Sequence, residues 1–331
     1  MQKPSGGQRR ISRRATVGAL IAAAATPAMA EECRFGLPSH ERGPRVWLDS
    51  DQAELDAAYE QTPYAPCFTQ IIKRWASNSD AVRARIGLPR RLSYGPTPIE
   101  ALDLYPAKRA GAPIFIFIHG GGWLRRSARN YAFPAELFVD AGAHYVVLDF
   151  IAIEDAHDLR IIADQVRRAI AWVHANAATF DGDADRIFIG GHSSGGHLCA
   201  VALATDWQSF GLASSPVKGG ICMSGMYEMK PIRLARSMSY VNLTDAMEEA
   251  LSPQRHVDLL CAPMIVSYGT FEPPEFQQEA RSFAAAARAA GKPVELIEAA
   301  NYNHFEMGES LANPYGPNGR AALAMMELAL R

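Results

Sequence analysis

Five residues, Gly191-His192-Ser193-Ser194-Gly195, hold a hydroxyl between two glycines at a spacing suited to nucleophilic catalysis. An apolar run, Arg186-Ile187-Phe188-Ile189-Gly190, comes before them. A small-residue stretch, Gly196-His197-Leu198-Cys199-Ala200-Val201-Ala202-Leu203-Ala204, comes after. Strand, G-x-S-x-G, helix is the context of a sharp turn that lifts the serine above a sheet. A Cβ at Gly191 or Gly195 would strike neighbouring backbone in such a turn, and the helix N-terminus would point at the hydroxyl. Ser193 is the candidate nucleophile. A second signal lies about seventy residues upstream, where the apolar run Pro113-Ile114-Phe115-Ile116-Phe117-Ile118 ends in His119-Gly120-Gly121-Gly122-Trp123. Consecutive glycines let backbone N–H groups approach a developing oxyanion closely.

A serine hydroxyl near neutral pH needs a base within hydrogen-bond reach, and the base needs a carboxylate to orient it. With a nucleophile in this context the acid and then the histidine follow in chain order. Only His256 and His304 lie well beyond Ser193 among the nine histidines. His304 follows an expected strand, in Asn301-Tyr302-Asn303-His304-Phe305, and so falls at the carboxyl edge where the serine is expected. His256 precedes a strand and falls at the opposite edge. His304 is the candidate base, placed in a loop. Glu272 and Glu275 both follow the preceding expected strand. Glu275 sits where a helix begins, and a carboxylate there also suits the helix dipole. Glu272, in the loop stiffened by Pro273, is the preferred acid.

These residues need elements to carry them. Strands are expected at 113–118, 144–149, 186–190, 219–224, 263–268 and 293–298, with helices at 157–176, 275–290 and 320–331. Leu92–Gly95 and Glu100–Pro106 read as a hairpin. The alternation predicts an α/β fold, a mainly parallel sheet with helices on both faces. Residues 47–88 read as helical, with Leu55, Ala58 and Tyr59 on one face and Ile71, Ile72 and Trp75 on another. Residues 225–260 read as a helical insertion near the pocket, with Met223, Met226 and Met238 giving it an adaptable apolar lining. One domain is expected over 47–331, preceded by a loose arm at 31–46.

Residues 1–14 hold Lys3, Arg9, Arg10, Arg13 and Arg14 and no acid, and Ala15 to Ala30 is small and apolar, ending Ala28-Met29-Ala30. This is the pattern of a bacterial export signal, twin-arginine-like at Arg13-Arg14. It predicts cleavage after Ala30 and a periplasmic or secreted protein. The chain carries 33 Lys and Arg against 35 Asp and Glu. Losing the five basic residues of the signal leaves 28 against 35, a net charge of −7. Such a chain is a poor partner for nucleic acid or an anionic membrane. None of the five cysteines forms a C-x-x-C pair, and no metal or cofactor is expected. Cys199, Cys222 and Cys261 read as buried small hydrophobes, and export would permit a Cys33–Cys67 disulfide. No G-x-G-x-x-G opens a helix after a strand, which argues against a dinucleotide-binding oxidoreductase.

From about residue 47 to the end, the chain resembles the arylformamidase (kynurenine formamidase) branch of the α/β-hydrolases, close to the hormone-sensitive-lipase-type esterases. The resemblance rests on Leu55-Asp56-Ala57-Ala58-Tyr59, on Tyr94-Gly95 with Leu102-Asp103-Leu104-Tyr105-Pro106, and on Gly191 to Leu198, with Ser194 where alanine is usual. It rests also on Glu272-Pro273-Pro274-Glu275-Phe276 and on His304-Phe305. The resemblance implies an α/β-hydrolase fold, a Ser193–Glu272–His304 triad, and an oxyanion hole made by the N–H groups of Gly121, Gly122 and Ser194. Gly122 makes the glycine loop look like that of general carboxylesterases. The expected activity is cleavage of small or aryl carboxylic esters through an acyl-enzyme. Cleavage of aryl formamides such as N-formylkynurenine is the alternative, and a catalytically silent binding protein a remote one.

Overall fold

The computed structural model describes residues 40–329. The export signal, most of the arm at 31–46 and Cys33 with its suggested pairing to Cys67 lie outside the described residues. The described residues start with a two-stranded ribbon, β1 (Arg45–Trp47) and β2 (Ser50–Asp51), and a short helix α1 (Gln52–Ala57). Asp51 caps α1 by accepting from the Glu54 N–H, while the Glu54 carboxylate returns to the Asp51 N–H. A longer helix, α2 (Phe68–Ile86), follows after a gap. The helix expected over 47–88 is therefore two. Pro63 and Pro66 fall in the connection, where each removes an N–H donor and disfavours helix in the residue before it.

The hairpin is formed by β3 (Arg90–Ser93) and β4 (Ala101–Tyr105), paired antiparallel with Leu92 opposite Leu102. Then come β5 (Ala112–Ile118), α3 (Ala135–Asp140), β6 (His144–Leu148), α4 (Ile153–Ala156) and α5 (Leu159–Asn176). After these follow β7 (Gly182–His192), α6 (Ser194–Leu203) and β8 (Val217–Met223). Residues 225–260 carry short helices separated by irregular chain. They contain α7 (Met229–Leu234), α8 (Asp245–Ala250) and 3-10 turns at Arg236–Val241 and Pro253–Leu259. The chain ends with β9 (Met264–Gly269), α9 (Pro274–Ala289), β10 (Val294–Ala299), α10 (His304–Glu309) and α11 (Pro317–Met325).

Eight strands make one sheet in the order β10-β9-β8-β7-β5-β6-β4-β3, parallel from β10 to β6 and antiparallel at the β4 and β3 edge. Alternation along each strand divides the core between two faces. Ile114, Ile116 and Ile118 of β5 pack with α5 and α6 residues on one side, and Phe115 and Phe117 pack with α2 and α3 residues on the other. This is an α/β-hydrolase architecture, and the described residues belong to one compact unit. No helix among them is long and apolar enough to cross a membrane.

Three packing expectations need correction. Cys261 is exposed, because it precedes β9 instead of lying in it, and its thiol meets the Ser215 hydroxyl at 3.1 Å. Ile72 is also exposed. It sits about 100° around α2 from Ile71, too far to share the face that Ile71 and Trp75 bury. Met223 is buried with Ile221 on the core side of β8.

Candidate active site

Ser193 sits between β7 and α6 with φ 59° and ψ −126°. This left-handed conformation costs a residue with a side chain on the order of 1–3 kcal/mol. The surroundings enforce it. A Cβ on Gly191 would lie 2.0 Å from the Gly195 carbonyl oxygen, and one on Gly195 would lie 2.1 Å from the Ile118 carbonyl oxygen. Only glycine at both positions lets the strand turn into the helix beside the end of β5. The Ser193 N–H donates to the Met223 carbonyl at 2.9 Å and fixes the corner to β8. The N–H groups of the first turn of α6 have no partner within the helix, and Ser194 is its first residue.

The glycine loop is tied to the same corner. The Trp123 N–H donates to the Ser194 hydroxyl at 3.1 Å. The Trp123 indole N–H meets His197 Nδ1 at 3.3 Å, and His197 Nε2 lies 2.8 Å from the Leu251 carbonyl. Burial pushes the His197 pKa down to about 4, so the ring is neutral and Nε2 carries the proton that Leu251 accepts. Ser194 and His197 therefore lock the glycine loop to α6 and to the insertion. Gly121 and Gly122 have φ of +119° and +67° and line the cavity that contains Ser193.

His304 Nε2 stands 2.9 Å from the Ser193 hydroxyl. His304 is the first residue of α10, not a loop residue. Asn303 caps that helix by accepting from the Phe305 and Glu306 N–H groups, and Glu306 closes the capping box. Glu272 is fully buried. Its Oε2 faces His304 Nδ1 at 3.6 Å, just beyond hydrogen-bond range, and neither atom has another partner. Apo sites often hold such contacts loosely and tighten them when substrate binds. Glu272 Oε1 is held by the Ser224 hydroxyl through a short hydrogen bond and by the Gly269 N–H at 3.2 Å. Glu275 lies in the first turn of α9, where burial raises its pKa, and it makes no contact with His304. His256 sits on the 3-10 turn before β9 and bonds the Glu249 carbonyl at 2.7 Å, away from Ser193.

His192, just before the serine, is a further functional residue that the motif does not explain. Its Nε2 lies 2.7 Å from the His304 carbonyl oxygen, and the two rings are 4.7 Å apart. Complete burial and the neighbouring imidazole push its pKa well down, so the neutral ring donates Nε2–H to that carbonyl. Ser224, at the end of β8 with φ 51°, is another. Each meets its partner across about fifty residues or more of sequence, and no local signal announces them.

The cavity above Ser193 has a volume of about 440 Å³. Its walls are mainly aromatic: Tyr59, Phe68, Trp75, Phe276 and Phe305, with Phe276 edge-on to His304 at 4.9 Å. α2 contributes Phe68, Ile72 and Trp75, and the insertion contributes Met226, Met238 and Tyr240. Met223 lies beneath this lining, in the core.

The BD-FAE family model matches residues 102–215, the span from β4 through the glycine loop and the serine corner. Kynurenine formamidase of Danio rerio is 26% identical over 280 residues, covering 81% of this chain and 94% of its own length. Esterase LipQ of Mycobacterium tuberculosis is 30% identical over 239 residues, covering 64% of this chain and 56% of that one. Among solved structures, a candidate thioesterase from a Silicibacter species superposes with a TM-score of 0.71 at 23% identity, over 83% of this chain and 99% of that one. An esterase of Pyrobaculum calidifontis gives 0.60 at 17% identity, over 79% and 94%. At these identities the solved structures speak to the fold. Together with the sheet order and the serine corner, these likenesses identify the chain as a hydrolytic enzyme of the α/β-hydrolase fold, akin to the carboxylesterases and arylformamidases.

Proposed function

We propose that the protein is a carboxylesterase acting on small or aryl esters through a Ser193–His304–Glu272 triad. The observation that carries this reading is the 2.9 Å approach of His304 Nε2 to the Ser193 hydroxyl at the floor of a roomy aromatic cavity. His304 takes the hydroxyl proton as Ser193 attacks the carbonyl. The N–H groups of Gly121, Gly122 and Ser194 receive the oxyanion. His304 then protonates the leaving alcohol, and water, deprotonated by the same imidazole, releases the acid. Glu272 orients the ring and stabilises its cationic form. The cavity favours an ester over a formamide, since a formyl group needs almost no acyl room. Likeness to the Danio rerio formamidase over nearly its whole length supports the second reading, an arylformamidase. Comparing p-nitrophenyl esters of increasing acyl length with N-formylkynurenine decides between them. Turnover rising from acetate to butyrate supports the esterase, and turnover confined to formyl groups supports the formamidase. A fluorophosphonate probe that fails to label Ser193 would leave only the binding-protein reading.

In this mechanism His192 is a positioning residue. Its donor sets the backbone of His304, and a misplacement of about 1 Å at a reacting group can cost on the order of 10²-fold in rate. His192→Phe keeps a ring against Trp75 but loses the donor. It should lower kcat by about 10²-fold with KM little changed, and slow fluorophosphonate labelling in parallel. Equal kcat in the variant and the wild type refutes the role. We also propose that residues 1–30 export the protein, for which a mature N-terminus at Glu31 by mass spectrometry is the test.

A further inference from the structure

The cavity wall carries two cations, Lys73 and Arg126, and no aspartate or glutamate. In a chain with more acidic than basic residues, that is a local reversal of sign. Arg126 is the better placed of the two. Its stem and Nε rest on Gly121, so closely that a Cβ there would lie 2.6 Å from Nε and 2.7 Å from Cγ. The absence of a side chain at 121 is what lets the guanidinium lie over the glycine loop. Arg126 Nη1 donates to the Arg125 carbonyl at 2.7 Å, which leaves the rest of the fork available.

The neighbouring arginines are already neutralised. Arg125 pairs with Asp155 at 2.6 Å and Arg129 with Asp80 at 3.3 Å, whereas Arg126 and Lys73 make no ion pair among the described residues. The charge of Arg126 also reaches the phenols of Tyr131 and Tyr240, which line the same cavity. Glu154 acts on Tyr240 as well but makes no ion pair with Arg126. Arg126 is solvent-exposed where it lines the cavity, and a guanidinium with free donors beside an apolar space can take a planar anion in two parallel hydrogen bonds.

We propose that the pocket selects substrates carrying a free anionic group, a carboxylate in the simplest case, a short spacer away from the scissile carbonyl, and that Arg126 holds it. The aromatic walls take the apolar body, and Lys73 adds attraction at the rim. The inference rests on the ester-hydrolase reading of Ser193 and His304 and names the substrate class of that site. The anion can belong to the acyl part or to the leaving group.

Two ester pairs separate these sources. Mono(p-nitrophenyl) glutarate against p-nitrophenyl butyrate tests the acyl side, and p-acetoxybenzoate against its methyl ester tests the leaving-group side. In the wild type at least one anionic member should be preferred in kcat/KM by about tenfold or more, the order expected of a hydrogen bond to a charged group. The preference should shrink between 0.1 M and 1 M salt, as the screening length falls from about 10 Å to about 3 Å. Arg126→Gln should bring the ratio towards one, and Arg126→Lys should restore part of it. Neutral esters preferred in both pairs, or a ratio unchanged in Arg126→Gln, overturns the proposal while leaving the hydrolase reading standing. Cleavage of none of the four esters, together with no fluorophosphonate labelling, overturns both. The wild-type comparison needs no variant, so the outcome does not depend on any substituted protein folding.

Discussion

Ser193→Ala should reduce kcat for ester cleavage by roughly 10⁴–10⁶-fold, and His304→Ala by a similar factor, with the double variant little worse than either. The reason lies in one hydrogen bond. The hydroxyl at 193 gains nucleophilicity only while it gives its proton to the imidazole 2.9 Å away, so losing either member stops the same step. Effects that do not multiply are the signature of groups acting as a unit. Residual rate should remain in both, because the glycine-loop and Ser194 amides belong to the backbone and survive side-chain changes. The variants should keep the wild-type fold. Ser193 is half-buried, and its backbone is held by the Met223 carbonyl and by the two glycines, not by its hydroxyl. Ser193→Ala should also abolish fluorophosphonate labelling, whereas His304→Ala should only slow it. Turnover near the wild-type level in either single variant ends the assignment.

What the chain discloses by itself follows the range of the forces involved. The runs from 113 to 118 and from 145 to 148 are continuously apolar because both faces of the sheet are covered, and such runs announce themselves. The serine corner is legible for a similar reason. Gly191 and Gly195 are demanded by backbone contacts only a few residues away or on the adjoining strand. His192 is printed inside the same pentapeptide, yet its use depends on a carbonyl 112 residues later. Arg126 follows the glycine loop in plain sight, but only the placement of its neighbours' carboxylates distinguishes it from Arg125. The segment between α1 and α2 was hidden by composition, because its aromatic and aliphatic residues keep a helical rhythm that Pro63 and Pro66 interrupt. His304 reads as a loop residue because it directly follows the last expected strand. Asn303 instead caps a helix, a use of the same side chain that the local sequence does not distinguish from a turn.

The acid is the place where sequence left two neighbours in contention, and kinetics should separate them widely. Glu272→Gln should lower kcat by about 10⁴-fold, while Glu275→Gln should change it by no more than a few-fold. Gln keeps the size of the side chain at 272 and can still accept from the Ser224 hydroxyl and the Gly269 N–H, which now hold Oε1. It loses the negative charge that faces His304 Nδ1 across 3.6 Å, and its NH₂ group can present a donor there instead. A donor at that point favours the tautomer with the proton on Nε2, the nitrogen that must accept from Ser193. The imidazolium formed during attack would also lack its counter-charge in a fully buried place, where an unpaired ion is costly. At 275 the geometry gives no such lever. That carboxyl sits at the start of α9 and faces Trp47 and Tyr59, not the imidazole. Its loss should appear as a small change in stability or in KM, through the wall that Tyr59 forms.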